Sequence, residues 1–141
     1  MPGTKTRSDS AAESPPTAKE LIECVEAYFA STDNFDVEAT LRTMTPDCTL
    51  EYLSTDIHHQ GRDTGIKKYF ENRAQALTSA WHGNFSHTVD TEQGRVATRF
   101  NVRREEKDGE MVVRDNLNLF QFEGRLISQI SVWRSSPQEP R

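Results

Sequence analysis

Along the first half of the chain apolar side chains recur every three or four residues, whereas along the second half they alternate with polar ones. Leu21, Ile22, Val25, Tyr28 and Phe29 share one face of a helix that follows Thr17, where Glu20 completes a capping-box pattern, and that ends near Ser31. Asp33-Asn34 is placed to cap a shorter helix with apolar positions Phe35, Val37, Leu41 and Met44, which Thr45-Pro46-Asp47 stops. Cys48, Leu50 and Tyr52 then alternate with Thr49, Glu51 and Leu53 in a first strand. Beyond a polar loop through Asp56 and His58-His59-Gln60-Gly61, Asp63 or Thr64 caps a third helix carrying Ile66, Tyr69, Phe70, Arg73 and Leu77. Trp81 and His82 fall at the end of that helix, where a His faces the dipole.

From Phe85 onward the period is two. Phe85, His87 and Val89 lie on one face of a strand, Gln93-Gly94 turns into a second running from Val96 to about Glu105, and Lys107-Asp108-Gly109-Glu110 bends into a third from Met111 to Phe122. Glu123-Gly124-Arg125 closes the last hairpin onto Leu126 to Arg134. Three N-terminal helices followed by a four-stranded antiparallel meander predict an α+β fold with the helices on one face of the sheet. A strongly curved sheet capped in this way leaves a conical cavity for a small molecule.

Composition sharpens the boundaries. Only 34% of the chain is hydrophobic, and the deficit sits at its ends. Residues 1–16 and 135–141 therefore read as solvated tails around one domain, 17–134. A net charge of -5 and interspersed basic residues argue against nucleic acid as a partner. No apolar run is long enough for a bilayer or a signal peptide, which predicts no membrane partner and a cytoplasmic location. Cys24 and Cys48 are too few for a disulfide framework and lack metal-ligand spacing, so both read as small buried hydrophobes. His58 and His59 adjoin in a polar loop and do not complete a metal site.

Taken in order, Tyr28-x4-Asp33-x2-Asp36, Asp47-x-Thr49, Gly61-x4-Ile66 and a closing hairpin through Leu119 and Phe122 to Val132-Trp133 resemble the nuclear transport factor 2-like superfamily. The resemblance covers about Ala18 to Trp133 and is strongest to the SnoaL-like and ketosteroid-isomerase-like members. It implies a conical α+β barrel, usually a dimer through the outer sheet face, with a deep pocket between helices and sheet. Members include isomerases, dehydratases, cyclases, epoxide hydrolases and non-catalytic binders, so fold does not name function. By the same resemblance, the general-base position of the isomerases is Tyr52, beside Glu51, and the oxyanion-binding acid is replaced by Asn118. The epoxide-hydrolase pattern keeps Arg99 but offers Asn101 and Ser131 where acids are needed. Tyr28, Asp33 and His87 imitate the dehydratase set.

On the residues alone, each candidate also has a plainer reading. Tyr28 is either core or a cavity-lining phenol, Asp33 either a helix cap or a catalytic acid, and His87 either a satisfied core imidazole or the proton-transfer group. Asn116 and Asn118 share the parity of Phe120 and Phe122, which places two amides in an aromatic wall. Glu51, Arg99, Asn101, Arg103, Arg114 and Asp115 are read as cross-strand pairs on the outer face. Gln129, Ser131 and Trp133 are turned inward by the superfamily comparison, leaving Leu126, Ile130 and Val132 on the opposite face for a homodimer. The resulting expectation is an enzyme that acts on a small apolar, oxygenated metabolite of polyketide or terpenoid type by cofactor-free isomerisation, cyclisation or dehydration. His87, Tyr28, Tyr52, Asn118 and Asp33 carry the chemistry, and Phe70, Phe120, Trp133, Gln129 and Asn116 hold the substrate. The alternative is a binding or dimeric assembly domain without catalysis.

Overall fold

A computed structural model describes residues 14–138. Thr17 and Glu20 form the anticipated reciprocal cap: the Glu20 amide donates to Thr17 Oγ1 at 3.1 Å, and the Thr17 amide to Glu20 Oε1 at 2.9 Å. Helix α1, Ala18–Asp33, buries Leu21, Val25, Tyr28, Phe29 and Thr32 along one face. Asp33 is the last residue of this helix rather than the cap of the next. That role falls to Asp36, which accepts from the Ala39 amide at 3.1 Å and opens α2, Val37–Leu41. The chain reverses between them at Phe35, held at a φ of 56°.

Strand β1, Met44–Tyr52, starts four residues before the anticipated Cys48 and contains Pro46. The proline is accommodated because the β1 register shifts between Met44 and Thr49. Edge strand β2, Ile57–Gln60, leads through a wide π-helical turn, Gly61–Ile66, into α3, Lys67–Ala76. Long strands β3 (Leu77–Asp90), β4 (Arg95–Glu106) and β5 (Met111–Glu123) and the shorter β6 (Leu126–Trp133) form the predicted antiparallel meander. The sheet order is β2-β1-β6-β5-β4-β3, with β1 parallel to β6.

The end of the third helix, the expected loop at residues 58–60, which lies in β2, and the inward face of β6 are further corrections. The third helix ends at Ala76, so Leu77, Trp81 and His82 belong to β3, whose pairing with β4 from Leu77 onward outweighs the helical pattern. On β6 the inward residues are Ile130 and Val132, both buried in the core, while Gln129 and Trp133 face out. A bulge explains the inversion: Gln121 pairs with Gln129 and Phe122 with Ile127, leaving Ser128 extra and donating to the Gln121 carbonyl at 3.2 Å. Simple alternation across Ser128 therefore assigns the wrong face.

The core joins α1 to the concave sheet face. Phe29 stacks on Phe85 at 5.0 Å and meets Phe100 at 4.7 Å, while Tyr28 contacts Phe70 and Phe120 edge-on. Cys48 is fully buried, and burial pushes its thiol up to about 12, as suits an inert apolar filler. No described helix is long and apolar enough to cross a membrane. Ser135, expected in a solvated tail, bonds back to β5, its hydroxyl accepting from the Asp115 amide at 3.0 Å.

Candidate active site

The concave face leaves a cavity of about 50 Å³ between α1, α3 and the sheet. A water molecule needs only ~10–15 Å³ by the same kind of measure, so there is room for a few waters or a small polar head group. Tyr28 and Thr32 from α1, Tyr69, Phe70 and Arg73 from α3, Tyr52 from β1 and His82 from β3 contribute to its walls. The meander supplies Arg104, Arg114, Asn116, Asn118 and Val132, followed by Arg134 just past β6.

His82 forms the site's most directed contact. Its amide donates to Asp33 Oδ2 at 2.8 Å and its ring Nδ1 lies 2.5 Å from Asp33 Oδ1. An Nδ1–H donating to the carboxylate fixes the tautomer and leaves the Nε2 lone pair without a partner among the described residues. Burial pulls the imidazole pKa below its ordinary 6.5 despite the opposing pull of Asp33. The ring is therefore neutral near pH 7, with a base at one edge and a carboxylate ready to steady the imidazolium at the other.

A backbone irregularity aims this ring. The β3–β4 register shifts between Gly83 and Ser86, and Asn84 adopts a φ of 55°. The bulge lets His82 and Phe85 point to the same concave face, although their separation in a regular strand would oppose them. Sequence alternation started at Phe85 and could not cross it.

Around the ring stand neutral polar groups. Asn118 is buried and, among the described residues, its Oδ1 has no hydrogen-bond partner and Thr32 Oγ1 is likewise unpartnered. Asn116 accepts from the Ser135 amide at 3.2 Å. The hydroxyls of Tyr52 and Tyr69 share a hydrogen bond, and burial followed by the Tyr69 phenol raises the Tyr52 pKa. Burial raises Tyr28 as well, so both remain protonated donors.

The sequence candidates thus divide by position. Tyr28, Tyr52, Asn118, Asn116 and Phe70 line the cavity, and Asp33 reaches it through His82. His87 does not: its Nδ1 lies 2.8 Å from Thr98 Oγ1 and its Nε2 2.8 Å from Glu26 Oε2, joining α1 to the sheet. Phe120 packs behind Tyr28, Trp133 is exposed, and Gln129 sits on the surface 3.5 Å from Glu51. Of the residues read as outer-face pairs, Arg99 and Asp115 do pair, at 2.7 Å, but Arg114 lines the cavity. The parity that turns Asn116 and Asn118 inward carries Arg114 with them. Sequence reasoning missed His82, and with it the cavity-lining Tyr69, Arg73, Arg104 and Arg134.

A curved sheet wrapped on three helices around a pocket is the α+β fold of the nuclear transport factor 2-like class. The SnoaL-like domain family matches residues 25–130, and the chain belongs to that family. Solved structures agree in fold. AusH from Aspergillus nidulans is 18% identical over 89% of this chain and 90% of that chain, with a TM-score of 0.74. BvnE pinacolase from Penicillium brevicompactum is 12% identical over 84% of each chain, with a TM-score of 0.73. SalBIII, described as an epoxide hydrolase/cyclase-like enzyme in pyran ring formation in polyether salinomycin, is 20% identical over 83% of this chain and 92% of that chain, TM-score 0.69. Among curated proteins, none matches the chain by sequence.

Proposed function

We propose that the protein is an acid/base enzyme that isomerises, cyclises or dehydrates a small oxygenated metabolite, using the Asp33–His82 dyad in place of the His87 that the sequence favoured. The observation that carries this reading is the largely buried, neutral His82, with Nδ1 engaged by Asp33 and Nε2 unpartnered among the described residues, in a residue that lines the cavity. His82 Nε2 removes a proton from the carbon beside a carbonyl. The resulting electron pair moves onto the carbonyl oxygen, where Tyr28 and the Asn118 amide donate to the oxyanion. The imidazolium, stabilised by Asp33, then returns the proton to another carbon for isomerisation or to a departing hydroxyl for dehydration. This chemistry needs no electron carrier, in keeping with a cofactor-free reaction. Tyr52 and Tyr69 serve as a hydroxyl relay, and Phe70 and Asn116 shape and orient the substrate. The structural neighbours named as a pinacolase and as an epoxide hydrolase/cyclase-like enzyme support a reaction class but not a substrate. The reading also keeps the protein a cytoplasmic homodimer.

The test incubates source extract in D2O with the purified protein and follows metabolites by mass spectrometry. The expected outcome is a product that is isomeric with its precursor, or one water lighter, and carries solvent deuterium. His82→Gln and Asp33→Asn should each lose on the order of 10²-fold or more in rate, while His87→Gln retains it. Equal turnover by His82→Gln would remove the dyad from the mechanism. No product with the wild type would favour a non-catalytic binding domain.

A further inference from the structure

The chain carries a net charge of -5, yet among the described residues its cavity is lined by four arginines and by no Asp or Glu. Three come from neighbouring strands in the sheet: Arg104 ends the inward row Val96, Thr98, Phe100, Val102 of β4, Arg114 lies on the inward row of β5, and Arg134 follows Val132 of β6. Arg73 faces them from α3. Beyond them lies a second cavity of about 290 Å³, with Ile57, Ala76 and Leu77 among its walls. Tyr52, Tyr69, Arg73, Arg104 and Arg134 line both spaces, so the guanidinium groups form the neck between a polar inner chamber and a more apolar outer one.

These cations are poorly compensated. Arg114 Nε and Arg134 Nε are buried without a hydrogen-bond partner among the described residues. Glu106, the acid in the wall of the outer chamber, lies 3.2 Å from Arg104 Nε and offsets that one arginine, although the N–H finds no aligned acceptor among the described residues. Arg134 rests its guanidinium over the Tyr52 ring at 4.8 Å, and Arg114 spends one terminal nitrogen on the Ser135 carbonyl at 2.6 Å. Burial, then Arg134 and Arg104, disfavour the charge on Arg114. Clustered guanidinium groups with idle planar donors are suited to an anionic oxygen pair.

We propose that the substrate carries a carboxylate at the neck, clamped by Arg114 and Arg134 with Arg104 beside them, while its carbonyl-bearing end reaches into the inner chamber toward His82 and its apolar body occupies the outer chamber. A carboxylate matches the flat guanidinium fork in two parallel bonds, and Ile57, Ala76 and Leu77 receive a hydrocarbon body. This assignment rests on the cavity being the substrate site of the proposed enzyme. It adds a recognition element that the dyad does not require.

The test follows arginine Nε–Hε resonances of the full chain by nitrogen-15 NMR during titration with cyclohexanecarboxylate, cyclohexanecarboxamide or inorganic phosphate. The expected result is saturable movement of the Arg114 and Arg134 signals with the carboxylate, and binding about tenfold or more weaker for the amide and for phosphate. Arg134→Gln and Arg114→Gln should each weaken carboxylate binding by about tenfold or more, Arg134→Lys less, and the surface control Arg95→Gln not at all. If Arg114→Gln does not fold, Arg134→Gln and the selectivity among probes decide. Equal binding of carboxylate and amide, preference for phosphate, or no saturation by about 10 mM carboxylate would overturn the proposal. His82→Gln should keep carboxylate affinity. Loss of turnover in that variant alongside absent carboxylate binding in the wild type would sink the clamp and leave the dyad standing; the reverse pattern would do the opposite.

Discussion

His82 illustrates how little a residue's type says about its role until its two ring nitrogens are placed. One is committed to Asp33, and the other has no protein partner among the described residues. His87 has both nitrogens engaged, by Thr98 and Glu26, which is the arrangement of a tie between elements. The depressed pKa of His82 has a determinate sign in stability. Its folded-state pKa lies below the ordinary 6.5, so the unfolded chain binds the proton more readily. Its stabilising contribution is present above about pH 6.5 and is lost as pH falls through the folded value. His59, also lowered by burial, has the same sign, whereas Asp115, held low by Arg99, acts only at more acidic pH. Urea titrations between about pH 7 and 5 should show wild-type stability falling on acidification, with a shallower slope in His82→Gln. The catalytic rate on any substrate found should lose its base limb below pH 6.5 for the same reason.

At the level of elements, close approaches and bulges govern what the sequence does and does not disclose. Gly65 sits in the wide turn before α3, where an added Cβ would come within 2.7 Å of the Gln60 carbonyl oxygen and 3.0 Å of its amide nitrogen. Because both obstacles are backbone, Gly65→Ala should cost about 1–3 kcal/mol, read as a lower midpoint in urea with an unchanged slope. The helices, the capping box at Thr17 and the inward amides of β5 were legible because regular periodicity fixes which side a residue occupies. The end of α3, the bulge at Asn84 and the extra residue at Ser128 were not. Each breaks the period locally, and each break moves a residue that matters. The Asn84 bulge brings His82 inward; the Ser128 bulge sends Gln129 and Trp133 outward and Ile130 and Val132 into the core. Parity within β5 would have revealed Arg114, had it been applied to the whole strand.

For the whole molecule, the corrected parity changes the surface offered to a second copy. Ile130 and Val132 cannot serve an interface from the core, but Leu117 and Trp133 are paired across β5 and β6, and Trp81 lies further along the sheet, exposed by 42%, 37% and 44%. We expect the homodimer to use this outer face. Sedimentation at micromolar concentration should give a dimer that Leu117→Glu with Trp133→Glu converts to a monomer, with the cavity unaffected. A wild-type monomer would refute the interface.

The parallel pairing of β1 with β6 joins Met44 to Ile127 and Tyr52 to Val132, across nearly the whole intervening fold. On a ribosome, β1 would emerge with β2 along one edge and wait for its other neighbour until the meander had been synthesised. Such distant closure makes for slow folding, and it leaves Leu50 and Cys48 without their lasting cover during that interval. Val132 and Arg134 arrive with the same segment. The final strand therefore closes the core and completes the cavity wall in one event, so a nascent chain has no ligand site before it has a fold.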